Sequence, residues 1–205
     1  MLGINDYWGF VAATMVFLML PGPGTFGVLT STGKGGLRAG FTALAGIIVG
    51  DWILMLLAVI GVAALLKANP LAFHLVQYAG AGYLVYLGAR LVVDKDGESA
   101  PKLLRIGNGK FFRQLFLITL MNPKAIIFYM AFFPLFVDPV AHRGALTFAA
   151  MAGTISLCTV LYGGMLVISG DRLARRLARS DRLRRWASRF AGLFLVGFGV
   201  RLSTQ

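Results

Sequence analysis

The sequence predicts an all-α membrane protein, with six transmembrane helices set as a 3+3 inverted repeat in which helices one and four are broken. Three observations carry that prediction. Apolar residues gather in runs long enough to cross a bilayer, Lys and Arg gather in alternate loops, and proline-marked breaks recur half a chain apart.

Of the 205 residues, 58% are hydrophobic and 14% charged, and the mean hydropathy is +0.76. Soluble domains carry about 45–50% apolar and about 25% charged residues. A run of about 18 or more apolar residues with few charges reads as a membrane-spanning helix. Such runs place spans at 7–31, 40–66, 71–93, 111–137, 144–169 and 187–203. No length remains for a soluble domain, so residues 1–205 are expected to form a single transmembrane domain. The segment 1–7 holds no Lys or Arg. A cleavable signal needs a positive start, so the first run is expected to be an uncleaved span.

In order, the first span holds Pro21-Gly22-Pro23-Gly24 in its interior, and the second opens after Gly35-Gly36-Leu37-Arg38 and contains Asp51. The third ends at Leu87-Gly88-Ala89-Arg90. The fourth is interrupted by Asn122-Pro123-Lys124, the fifth is rich in Gly, Ser and Thr, and the sixth is short. A polar, glycine-containing linker at 94–110 separates two halves, about 1–93 and 111–205. Residues 171–186 place Leu173, Leu177, Leu183 and Trp186 among eight nearby arginines. This suits a basic helix on an anionic membrane surface or a solvated positive loop.

The net charge of +12 and pI of about 10.6 would suggest nucleic acid in a soluble chain. Here the charge lies in loops. Those after spans one, three and five hold Lys34 and Arg38; Arg90, Lys95, Lys102, Arg105, Lys110 and Arg113; and the arginines from Arg172 to Arg189, which make 16 of the 20 basic residues. Positive loops stay cytoplasmic, so the charge records orientation rather than a nucleic-acid partner, and both termini are expected outside. The single cysteine, Cys158, excludes an internal disulfide, a CxxC redox pair and a thiolate metal cluster. It reads as a small core residue.

Three spans per half is an odd number, so the second half must enter the membrane inverted. Span three (Tyr83-Leu84-Val85-Tyr86-Leu87-Gly88-Ala89-Arg90-Leu91) and span six (Phe194-Leu195-Val196-Gly197-Phe198-Gly199-Val200-Arg201-Leu202) share Leu, Val, Gly, Arg and Leu in register. The same half-chain offset pairs the break in span one with the break in span four. Interrupted segments at corresponding positions of inverted halves point to a transporter's substrate site.

The candidate site residues follow from membrane chemistry. Pro lacks an N–H and Gly lacks a side chain to restrain the backbone, so Pro21-Gly22-Pro23-Gly24 is expected to be non-helical, with helix restarting near Thr25. Backbone groups freed in hydrocarbon are tolerated only inside protein or along a watery cavity. The N–H groups of a restarting helix suit a carboxylate. Asp51 lies about 11 residues, or roughly 16 Å, into span two, near the bilayer middle. A carboxylate there costs at least about 2.5–3.5 kcal/mol by insertion scales, so it needs a polar interior. It could bind a substrate ammonium, take up a proton or pair with Lys124. Asn122, Pro123 and Lys124 reach similar depth in span four, and the Asn amide both donates and accepts. Ser156, Thr159 and Tyr162 are secondary candidates for the cavity wall. Gly46, Gly50 and Gly61 share a helix face and read as a close-packing stripe. His74 and His142 are too far apart for a zinc or iron site, no nucleophile–base pair is evident, and no cofactor is called for.

Taken together, Pro21-Gly22-Pro23-Gly24, the run Gly36-Leu37-Arg38-Ala39-Gly40 leading to Gly46-Ile47-Ile48-Val49-Gly50-Asp51, Gly82-Tyr83-Leu84-Val85-Tyr86-Leu87-Gly88, and Asn122-Pro123-Lys124 before Phe132-Phe133-Pro134-Leu135-Phe136-Val137 resemble the LysE/RhtB family of amino-acid exporters. The resemblance covers essentially the whole chain in order. It implies a bacterial inner-membrane, six-span exporter of amino acids or close derivatives, energised by the proton-motive force and not an enzyme. Its functional positions would be the Pro-Gly turn (Pro21, Gly22, Pro23, Gly24 and Thr25), Asp51 as proton-coupling residue, and Asn122, Pro123 and Lys124. Many relatives carry Asn or another polar residue where this chain has Gly24, which removes an amide from the head-group contacts. The expected partners are an amino acid, protons and the lipid bilayer. A homodimer stays open, as does a second cargo, metal or other inorganic ions; an intramembrane redox enzyme or scaffold fits less well.

Overall fold

The computed structural model describes residues 3–20, 22–68, 107, 109–138 and 144–179, with isolated positions in 71–93 and 189–200. The described residues are helical apart from short turns and one isolated β-bridge, Ile4 with Val137. Five helical segments are described: α1 (Tyr7–Met19), α2 (Pro23–Ala68), α3 (Phe111–Leu120), α4 (Pro123–Phe136) and α5 (Ala145–Arg179).

Each boundary has a local cause. Asp6 caps α1 by accepting from the Gly9 N–H at 3.1 Å, in a left-handed conformation (φ 46°) that a short polar side chain tolerates. Helix α1 ends at Met19, and α2 restarts at Pro23, two residues earlier than the expected Thr25. Proline is suited to a first helical position, where its fixed φ is preset and an N–H would go unused. The break therefore spans Leu20 to Gly22, while Pro23 and Gly24 are helical; Pro21 lies outside the described residues. Asn122 and Pro123 repeat the device. The Asn122 carboxamide caps α4 by accepting from the Lys124 N–H at 3.1 Å, and Phe111–Leu120 and Lys124–Phe136 meet at a 61° bend.

Helix α2 joins the second half of span one to span two. Gly35 (φ −134°) and Gly36 (φ 69°, ψ −166°) are non-helical within it, so the chain turns at the glycine pair from which span two was expected to open. Gly36 occupies a conformation that only glycine adopts cheaply.

The two broken helices pair along their length. The α1 end and the α4 end meet through Ile4–Val137, with Asn5 N–H donating to the Phe136 carbonyl at 2.8 Å. Phe10 stacks on Phe132 at 5.3 Å and Phe17 on Phe128, so α1 and α4 run antiparallel. Beyond the breaks, Val28 packs with Leu115, and Gly35 faces Phe111. The first arm of α2 is thus antiparallel to α3. Two clusters result: an aromatic one around Phe10, Phe128, Phe132 and Phe136, and a smaller one of Val28, Ala43, Leu115 and Val167 toward the Gly35-Gly36 end.

The second arm of α2 is sandwiched between α3 and α5. A Cβ on Gly46 would collide with the Phe112 carbonyl oxygen, and one on Gly50 would lie 2.9 Å from Thr119 Cβ. The expected stripe is real at these two positions. Among the described residues it stops there, because Gly61 has none of them within 4 Å. The opposite face exposes Trp52, Leu56, Leu57 and Ile60, a contiguous apolar surface that suits lipid and not water.

By length and composition, Pro23–Gly61 and Ala145–Ser169 can cross a membrane, and the bent α3–α4 pair is long and apolar enough for a third crossing if it acts as one broken span; α1 is a shorter apolar helix. Spans three and six lie largely outside the described residues, where the isolated positions Leu71, Leu75, Tyr86, Val196 and Val200 are helical. The linker falls outside them except for residues 107, 109 and 110. The basic segment after span five is helical and continuous with α5 as far as Arg179; residues 180–188 lie outside the described set.

The glycine contacts separate packing from tolerance. Gly46→Ala should destabilise by about 1–3 kcal/mol, because the obstacle is backbone and cannot rotate away. Gly61→Ala should be neutral or stabilising by up to about 1 kcal/mol. Thermal unfolding of the two detergent-purified variants checks both; equal melting temperatures would contradict the packing.

Candidate functional site

Both helix breaks open onto one cavity of about 100 Å³. A single water needs about 10–15 Å³ on this scale, so the space admits a small molecule. Its walls come from the end of α1, both arms of α2, the α3–α4 break and the middle of α5.

Gly22, Gly24 and Thr25 line the cavity from the first break, Asn122 and Lys124 from the second, and Asp51 from the second arm of α2. Pro23 and Pro123 serve by opening their helices. The sequence-predicted residues therefore converge from three chain segments.

The two breaks differ in how they satisfy their backbone. At the α4 start, Asn122 covers the Lys124 N–H, and the Ile126 N–H bonds the Asn122 carbonyl at 3.0 Å. At the α2 start, the residue in the capping position is Gly22, which has no side chain to offer. The Phe26 N–H reaches the Gly22 carbonyl at 3.0 Å, and Pro23 has no N–H. Gly24 and Thr25 thus hold the first-turn donors, which lack intrahelical acceptors by geometry, and both residues line the cavity.

Lys124 ties the breaks together. Its Nζ donates to the Leu20 carbonyl at 3.4 Å and sits 5.2 Å from the centre of the Phe17 ring. A cation is favoured at a helix carboxyl end, where carbonyls go unpaired, and over an aromatic face. Lys124, on α4, thereby neutralises the end of α1.

Asp51 takes Tyr129 as its hydrogen-bond partner, a residue outside the set considered from sequence. The two are 6% and 3% exposed. Tyr129 had a legible signal: Asn122, Ala125 and Tyr129 share one face of α4 at helical spacing, and all three line the cavity. Thr119, one turn before Asn122, lines it too.

From α5, Thr159 and Tyr162 line the cavity as expected. The Tyr162 hydroxyl is hydrogen-bonded to the Thr25 side chain. The Thr159 Oγ1 is buried without a hydrogen-bond partner among the described residues, a costly arrangement in an apolar interior unless something else supplies one. Ser156 is placed elsewhere. It bonds the Trp52 indole N–H at 2.7 Å and the Ala152 carbonyl at 2.8 Å, holding α2 to α5.

Comparison with known proteins gives this site a context. The profile of the LysE type translocator family matches residues 15–205. An uncharacterized membrane protein of Pseudomonas aeruginosa is 38% identical over 99% of this chain and 97% of its own length. A leucine efflux protein of Salmonella typhimurium is 34% identical over 98% of this chain and 96% of its own, and one of Klebsiella pneumoniae is 33% identical over the same shares. No solved structure matches significantly. A multi-pass membrane protein whose helix breaks meet at a buried cavity, matched by this profile over most of its length, is a transporter and not an enzyme: the chain belongs to the LysE type translocator family.

Proposed function

We propose that this chain exports neutral amino acids, leucine foremost, across the bacterial inner membrane in exchange for protons. The observation that carries the reading is the convergence of two helix breaks and one buried carboxyl group on a single cavity. Its polar groups match a zwitterion. The first-turn donors at Gly24 and Thr25 take the carboxylate. Asp51, released from Tyr129, takes the ammonium. The Thr159 hydroxyl and the Asn122 amide complete the head-group contacts.

The leucine assignment draws on the relatives named as leucine efflux proteins and on a wall that is otherwise apolar, with Val28, Leu44, Ile47 and Leu166 in it. An inorganic cation as cargo fits less well, because the cavity wall carries the Lys124 ammonium and a single carboxyl group.

In this mechanism the six spans form two inverted halves, 1–93 and 111–205, and both termini face outward. The broken helices α1 and α4 lie antiparallel and move against their neighbours to open the cavity alternately to each side. A proton entering from outside onto Asp51 displaces the ammonium contact and resets the carrier.

Counterflow of labelled leucine in proteoliposomes tests the function. Wild-type protein is expected to accumulate label against unlabelled leucine, and its leucine flux to respond to an imposed pH gradient. Asp51→Asn should lower transport at least about 100-fold, the cost of roughly 2.7 kcal/mol of lost charge-assisted bonding, with folded protein retained in the membrane. Normal export by that variant would remove Asp51 from the mechanism.

Lys124→Met keeps the stem and removes the ammonium from Leu20. A hydrogen bond to a charged group contributes about 1.5–3 kcal/mol, so this variant should melt at lower temperature and Lys124→Arg should recover part of the loss. Unchanged thermal unfolding of Lys124→Met would contradict the tie between breaks. Tyr129→Phe should leave the fold intact and slow counterflow about tenfold, the worth of one hydrogen bond of roughly 1.4 kcal/mol.

A further inference from the structure

The cavity has two levels. The second arm of α2 and α5 run antiparallel in register: Trp52 bonds Ser156, the Gly163 Cβ position faces Leu44, and that of Gly40 faces Val167. Asp51 is therefore level with Ser156, and Thr159 with Ile48, about 4.5 Å below Asp51 along the axis. Leu44 lies seven residues from Asp51 and Leu166 seven from Thr159, about 10 Å along the axis, toward the Gly35-Gly36 turn. Val28, one turn beyond Gly24, packs with Ala43 at that lower height. Asp51, Asn122 and Lys124 belong to the upper level and Val28, Leu44 and Leu166 to the lower; Ile47 and Thr159 lie between, and Tyr162, beside Gly163, reaches the height of Leu44.

Gly24 stands opposite Ile47. Among the described residues, a Cβ built there meets one group within 4 Å, the Ile47 Cδ1 at 3.5 Å, which is ordinary contact. Gly24 is helical, and its φ is not in the left-handed region. An alanine would fit without strain. Neither the backbone nor packing against the described residues requires glycine at this place, and its missing methyl is room in the cavity wall.

We infer that Val28, Leu44, Ile47 and Leu166 form a side-chain subsite for aliphatic amino acids, entered past Gly24, and that the gap between Gly24 and Ile47 sets the largest side chain accepted. The inference rests on the amino-acid reading of the upper level and adds what the lower level selects. A bound amino acid has its head group at the helix breaks and its side chain directed toward the Gly35-Gly36 turn. The Tyr162 hydroxyl at this level is taken by Thr25, so a charged or amide side chain would lose its hydrogen bonds there.

The test is counterflow in proteoliposomes, measuring exchange of alanine, leucine and phenylalanine by wild type, Gly24→Ala and Ile47→Ala. One methylene of pocket space is worth about 10–200-fold in discrimination. Gly24→Ala is expected to lower the leucine-to-alanine ratio about tenfold, and Ile47→Ala to raise the phenylalanine-to-leucine ratio by a similar factor. Either variant changing all three rates by a common factor, or leaving the ratios as in wild type, would overturn the subsite. Wild-type protein exchanging none of the three would instead defeat the amino-acid reading itself, and the subsite with it.

Discussion

A backbone group released from its helix inside a membrane must find a partner within the protein, and the whole site is organised by how that demand is met. Two helices are broken at the same place in space. The carbonyl left at the end of α1 is taken by Lys124, which arises one residue past the second proline. The first amide of α4 is taken by Asn122. The first amides of α2 face a glycine where a cap would stand. One break is closed by its own side chains, and the other is left open toward the cavity. That asymmetry distinguishes a break capped by a side chain from one with a glycine in the capping place.

The scaffold around the breaks is correspondingly uneven. On the α1–α4 side, stacked phenylalanines pack the space densely, with Phe10, Phe132 and Phe136 fully buried. On the α2–α3 side, glycines bring backbones into contact, as Gly46 does with Phe112. Large rings fill the gap between α1 and α4, and small residues let α2 and α3 approach closely. The cavity lies where these regimes meet. Asp51 is carried one residue after Gly50 on the close-packed arm, and Tyr129 one residue after Phe128 on the aromatic helix, so the Asp51–Tyr129 bond spans the boundary.

Much of the site was legible because its chemistry is local. The stereochemistry of Pro and Gly acts within a few residues, so Pro21-Gly22-Pro23-Gly24 and Asn122-Pro123-Lys124 marked both breaks. Locality also explains the two-residue error in the first restart: Pro23 was read as a breaker when at a first helical position it is a starter. A lone acid in an apolar run needs a polar interior wherever the helix packs, which placed Asp51. Its partner was less legible. Tyr129 sits among phenylalanines, and an aromatic in an aromatic run looks like core until a carboxyl group is brought to it. Ser156 and Thr159, three residues apart, read alike in sequence; one was drawn to the Trp52 indole and the other to the cavity.

By itself, then, the sequence determined an all-helical membrane chain, the two places where its helices break, and the polar residues left at those breaks, because each follows from residue chemistry over a turn or less. Which face of each helix meets which neighbour was decided only in three dimensions. Membrane helices are apolar nearly all round, so periodicity does not name a partner. The pairing of α1 with α4, the choice of Tyr129 for Asp51 and the open space beside Gly24 arise from side-chain shapes meeting across elements far apart in the chain.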